Sequence, residues 1–297
     1  MAPHNHPHSA GEGSRKRLAM VLLLTLGFMG VEAAAGWWSG SLALVADAGH
    51  MLSDSLAMGL SLGAMWLADR PVSVTRTYGY RRAEILAAFV NALGLTLLAG
   101  WIVWEALERL GQPRPVVDRV MLGVALAGLG VNGAALWLLR PVSRHSLNMR
   151  AVIWHVMGDA LGSLGVLGAW AVIHFTGWAG ADPLAGVLIA LLIGANGLKI
   201  LADSTHILLD SAPKTLDMDQ VNRFLTGYPQ VKQVCDLHIW AINSQDVVMT
   251  AHLVVEEHVD RDGFLNTLLT DLHTTFQLDH MTIQLEKTSQ QTCHNPW

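Results

Sequence analysis

Six long apolar runs separated by short polar breaks fill the first two thirds of the chain, at about residues 18–38, 42–67, 83–107, 116–139, 147–175 and 181–201. Each is long enough for a helix to cross a bilayer, which takes about 20 apolar residues. Beyond residue 209 the pattern changes. Helical spacing over 217–227 and 262–276 is interleaved with strand-like alternation over 231–242, 247–256 and 281–287. An α-β-β-α-β order in so short a stretch predicts an open-faced sheet with helices on one side. The whole pattern predicts an α-helical membrane protein with six transmembrane helices and a C-terminal α+β domain.

Polar residues inside the runs carry the candidate chemistry. In the second run, residues 46–54 read ADAGHMLSD. His50 and Asp54 stand four apart, so on a helix their side chains share one face, a turn apart. The fifth run repeats that spacing with His155 and Asp159 in IWHVMGD, and Gly63 and Gly168 each stand nine residues beyond the aspartate. A lone histidine in an apolar run is more often a hydrogen-bonded interior residue than a ligand. Two copies at one spacing, each inside a span where ionisable groups are costly, point to a shared metal site. Two imidazoles and two carboxylates suit Zn2+ both in ligand type and in the four ligands of a tetrahedral ion. Asp47, one turn before His50, belongs either to an access path or to interior hydrogen bonding.

Composition and charge narrow the class. Of 297 residues 52% are hydrophobic and only 14% charged, against about 25% charged in a soluble domain, so most of the chain belongs in lipid. Basic residues are uneven. They crowd the N-terminal flank (Arg15, Lys16, Arg17) and the connections after the second run (Arg70, Arg76, Arg81, Arg82) and the fourth (Arg140, Arg144, Arg150). The third connection has Arg109, Arg114 and Arg119. That bias places both termini in the cytoplasm. A net charge of -5 and the absence of a dense Lys/Arg cluster exclude nucleic acid as a partner. The two cysteines, Cys235 and Cys293, imply no disulfide framework and a reducing compartment. No secretory signal is visible, so the first run is expected to remain a span. His4, His6 and His8 lie in a polar tail expected to be disordered, which either collects metal or is dispensable. An intramembrane metallohydrolase needs an open coordination position and a general base, as in H-E-x-x-H, and that motif does not occur.

Five segments together resemble the cation diffusion facilitator family, in its zinc-exporting bacterial branch. They are SGSLALVADAGHMLSDS, YGYRRAEILAAFVNA, HVMGDALGSLGV, DLHIWAI and HMTIQLE, spread over nearly the whole chain. The resemblance implies a transporter and not an enzyme. It would be a homodimer in the bacterial inner membrane that exports Zn2+ in exchange for protons, with other divalent cations such as Cd2+ as further cargo. It divides the chain into a tail (1–17), a six-helix transmembrane domain (18–208), a cytoplasmic ferredoxin-like metal-binding domain (209–288) and a C-terminal tail (289–297). The transport site maps onto His50, Asp54, His155 and Asp159, alternating between metal and protons because metal needs neutral imidazole and ionised carboxylate. A loop site of some relatives meets Arg76 and Tyr80 here and is expected to be absent. A second zinc site in the soluble domain maps onto Cys235, His252 and Glu286, with Cys293 from the tail. His238 would point to the opposite face of a regular strand from Cys235. Arg82 and Asp210 match a charge pair that ties the membrane part to the soluble domain.

Overall fold

The structure, a computed structural model, describes residues 9–68, 70, 72–112, 114–139, 147–278 and 280–287. Within those helices the side chains of 9–19, 58, 61–62, 64–65, 68, 147–152 and 154–155 lie outside the description. Six long helices come first: α1 Ser9–Ser39, α2 Leu42–Ala68, α3 Ala83–Gly111, α4 Asp118–Leu139, α5 Leu147–Thr176 and α6 Ala181–Leu208. Among the described residues, α1, α3, α4, α5 and α6 each contain a stretch long and apolar enough to cross a membrane, which in α1 begins at Met20 and in α5 at Val156. α2 has 27 residues, a length sufficient to span, and its described side chains run unbroken only over 42–57. The chain is a multi-pass membrane protein.

α1 starts at Ser9, so part of the stretch expected to be disordered is helical. Extending a formed helix adds a hydrogen bond for each residue fixed, and Arg15, Lys16 and Arg17 are good helix formers. His4, His6 and His8 lie outside the described residues.

The chain divides into two compact units, residues 1–59 with 90–199 and residues 60–89 with 200–297. In the first, α2 is wedged between its neighbours. Leu42 and Ala46 pack with Ala99, Ile102 and Ala106 of α3 and Ala190 of α6. Ala43 and Leu44 pack with Met121 and Ala125 of α4 and Val166 and Ala169 of α5. Alanine at so many contact positions lets the backbones approach closely. α1 runs along α4, and α4 along α5.

The start of α2 is fixed by residues far away in sequence. Gly40 makes the turn from α1 at φ 70°, a backbone region that side chains with a Cβ adopt only at a cost. Asp182, fully buried at the head of α6, accepts hydrogen bonds from Ser41 Oγ (2.5 Å), Leu42 N (2.7 Å) and Ala43 N (3.2 Å). A carboxylate there satisfies orphan N–H groups and faces the positive end of the helix dipole. Arg109 of α3 donates to the Gly40 carbonyl. The helix that carries His50 and Asp54 therefore enters the bundle at a fixed angle.

The second unit holds α7 Met218–Thr226, β1 Val231–Ala241, β2 Val247–Val255, α8 Arg261–Phe276 and β3 His280–Glu286. The sheet order is β1-β2-β3, with β1 and β2 antiparallel and β2 and β3 parallel. Asp217 and Asp260 cap the two helices, accepting from Asp219 N and Gly263 N. Val221 and Leu225 of α7 and Phe264, Leu268 and Leu272 of α8 pack on Met249, Ala251 and Leu253 of β2. The expected α-β-β-α-β order is present. Among the described residues the sheet has three strands, one fewer than the β-α-β-β-α-β of a full ferredoxin-like fold. The α2–α3 connection belongs to this unit and grips it by Arg81 to Asp246 (2.8 Å), Arg82 to Asp210, and Ser244 Oγ donating to Glu84 (2.8 Å).

Candidate metal centre

Helical spacing stacks His50 over Asp54 on α2, and packing against α5 adds Asp159. One ligand atom from each of these three lies within 4.8 Å of the others. His50 Nε2 is 3.7 Å from Asp54 Oδ2 and 4.0 Å from Asp159 Oδ1. Donors bonded at about 2 Å to one tetrahedral ion stand roughly 3.3 Å apart, so these groups would draw in slightly to hold one. His155 lies on α5 one turn before Asp159, but its side chain is outside the described residues. Three of the four expected ligands are thus brought together from two helices.

His50 and Asp54 open onto a cavity of about 390 Å³ between α2, α3, α5 and α6, and Asp159 lies buried behind them. Leu95, Leu188, Ile189 and Leu192 give it apolar walls, and Asp47, Ser53 and Asn196 are its other polar lining. Asp159 is 2% exposed, whereas His50 and Asp54 are about one third open. A dication in this pocket would meet two carboxylates in surroundings that screen charge poorly, so the attraction is strong.

The transmembrane part matches the description "cation efflux transmembrane domain" over residues 18–209, and residues 213–288 match "cation efflux protein, cytoplasmic domain". The chain belongs to the cation efflux family. It is 40% identical to the zinc transporter ZitB of Escherichia coli, over 99% of this chain and 94% of that one. It is 36% identical to a cadmium, cobalt and zinc/H+-K+ antiporter of Bacillus subtilis, over 95% and 91% of the two chains. It is 37% identical to the metal cation efflux system protein CzcD of Cupriavidus metallidurans, over 96% and 90%. This cation efflux protein is a transporter, not an enzyme, as the sequence implies.

In the soluble part of this cation efflux protein, Cys235 faces His252 across the β1–β2 ladder, and His252 Nδ1 is 3.9 Å from Glu286 Oε1. Cys235 is disulfide-bonded here, contrary to the absence of disulfides expected from two cysteines, and in that form it offers no thiolate. Cys293 lies outside the described residues. β1 is irregular between Cys235 and His238, where Asp236 sits at φ 51°. That break turns His238 back to Asp236, Nε2 to Oδ1 2.8 Å, while Asp236 Oδ2 is 4.0 Å from His252 Nε2. The expectation that His238 points away assumed a regular strand. Asp236 and His238 thereby join His252 and Glu286 in one neighbourhood.

Two buried carboxylates escaped the pairing argument. Asp182 is the cap described above, and Glu32 on α1 is fully buried. Both stand alone in their runs, and a spacing motif finds only repeated residues. The signal available was simpler, an ionisable residue inside an apolar segment.

Proposed function

We propose that this protein exports Zn2+ from the cytoplasm in exchange for protons, through a tetrahedral site of His50, Asp54, His155 and Asp159 that opens alternately to the two sides. The observation that carries the reading is the convergence of His50, Asp54 and Asp159 within 4.8 Å, two of them at the wall of a cavity. Relatives named as zinc transporters, and one named as a zinc/H+-K+ antiporter, support the cargo and the coupling. Ligand chemistry supports the exchange as well. Two carboxylates and two neutral imidazoles neutralise Zn2+, and once the ion leaves, protons offset the remaining charge. Cd2+, of similar charge and ligand preference, is a second cargo.

In this reading α2 is the sixth span, both termini are cytoplasmic, the membrane is the bacterial inner membrane, and the working unit is a homodimer. The soluble domain holds a second, regulatory zinc at His252 and Glu286 with Asp236 and His238. Cys235 and Cys293 join it when reduced.

Antiport is tested by zinc uptake into inverted vesicles at equal zinc concentrations. An inward-acid pH gradient is expected to drive uptake, and collapsing the gradient and the membrane potential to abolish it. Uptake that continues unchanged without either gradient would falsify proton coupling. The domain site is tested by zinc binding to the full chain under reduction, where His252→Ala should lower the number of zinc ions bound per protomer. An unchanged count would remove that site.

A further inference from the structure

Among the described residues, Glu32 is a fully buried carboxylate of the bundle to which no structural task has yet been given. It sits on α1, which supplies no ligand to the metal centre. Its relative exposure is 0%, and neither side-chain oxygen makes a hydrogen bond among the described residues. The charged groups that face it are Asp47 of α2 and, farther off, Asp159 of α5. α4, which packs along α1, has no ionisable residue between Val120 and Leu139. No lysine or arginine occurs in α1 after Arg17, in α2, or in α5 after Arg150.

Asp47 joins Glu32 to the metal centre. It is 2% exposed, lines the cavity beside His50, and lies hard against α5: a Cβ added to Gly162 would stand 2.3 Å from Asp47 Oδ1. Gly162 is less than one turn from Asp159. Three carboxyl groups thus run together, Asp159 with Asp47 at the cavity wall and Glu32 deeper in the bundle, and neither Asp47 nor Glu32 faces a lysine or arginine among the described residues. A buried carboxylate whose nearest charged neighbour is another carboxylate is costly as an anion. Neutralised by a proton, it is tolerated.

We propose that Glu32 is a proton-holding residue of the exchange, linked to the metal centre through Asp47. The proposal rests on the transport-site reading given above. With the cavity empty, the proton sits on a Glu32 carboxyl oxygen. When a dication enters the centre, its field stabilises the Glu32 carboxylate, and the O–H bond breaks. The proton passes to Asp47 and from there to water in the cavity. When the metal leaves, a proton returns by the same route. Each cycle leaves Glu32 as it began.

The test is proton release on zinc binding to the purified full-length protein, by calorimetry in buffers of different ionisation enthalpy. Glu32→Gln keeps the shape of the side chain and loses the site of the proton. It is expected to bind zinc and to release about one proton fewer per zinc than wild type, with the pH dependence of affinity flattened accordingly. Glu32→Asp restores the release. Asp47→Asn, a second variant should Glu32→Gln fold poorly, lowers it in the same way. Release equal to wild type in Glu32→Gln and in Asp47→Asn would overturn the proposal. Asp159→Asn separates the two readings. If it abolishes zinc binding while Glu32→Gln leaves release unchanged, only the Glu32 proposal fails. If Asp159→Asn binds zinc as wild type does, the transport site is misassigned and the Glu32 proposal falls with it.

Discussion

Asp159 is the most enclosed of the three gathered candidate ligands, and its burial makes it the most sensitive to change. Replacing it with Asn keeps the shape and removes the charge that a dication needs. Zinc affinity is expected to fall by more than the ~10–100-fold typical of losing a residue that only supports a ligand, measured by competition with a chelator. A smaller loss would assign Asp159 to that supporting class. Gly162 offers a second residue-scale check. Its missing side chain makes room for Asp47, so Gly162→Ala is expected to destabilise the bundle by roughly 1–3 kcal/mol through overpacking. A melting temperature in detergent equal to wild type would show that Asp47 can move aside. The duplicated His-x-x-x-Asp pattern was legible because polar residues stand out against apolar runs and the repeat excluded chance. Glu32 and Asp182 were not read, since a single carboxylate has no spacing to match. The partner of each lies on another helix.

At the level of elements, the cap on α2 is the feature with the largest expected effect. Asp182→Ala leaves the amides of Leu42 and Ala43 and the Ser41 hydroxyl without their shared acceptor. A lost cap costs about 0.5–2 kcal/mol, and buried donors left unpaired add to it. Thermal unfolding should shift down for Asp182→Ala and recover in part for Asp182→Asn; no shift in either would mean that water replaces the carboxylate. In the soluble domain, Tyr228 donates to Asp271 Oδ2 at 2.6 Å. Burial, then the Asp271 carboxylate, push its pKa up to about 12 from 10.0. Because the folded state holds the proton more tightly, the stability from this pair is complete below about pH 10 and is lost as pH rises through 12. Tyr228→Phe should make the domain's alkaline unfolding less steep over that window. Helix order and strand order were both legible from period alone. The break in β1 was not, because alternation assumes a regular strand, and Asp236 at positive φ moves His238 to a neighbourhood that a regular strand denies it.

For the whole molecule, the second unit couples the α2–α3 connection to the soluble domain by a few polar contacts on its surface. Arg81 and Asp246 are 51% and 33% exposed at 2.8 Å, so the pair is worth about 0.2–1 kcal/mol, as partly exposed ion pairs are. A double-mutant cycle on Arg81→Ala and Asp246→Ala should return a coupling of that size in stability. A value indistinguishable from zero would leave the connection held by its other contacts. The large-scale division into membrane and soluble parts was visible in the change of pattern near residue 209. The division into compact units was not, because it cuts α2, α3 and α6 partway along their length. Continuous hydrophobicity does not mark such a cut.

The central claim is that the two-helix centre carries the transported ion. Its most direct test is zinc flux into liposomes holding purified wild type, Asp54→Ala or Asp159→Ala under an imposed pH gradient, with folding and oligomeric state checked for each. The account predicts flux in wild type and none above background in either variant. Flux retained in both would mean that these carboxylates are structural and that the ion crosses elsewhere.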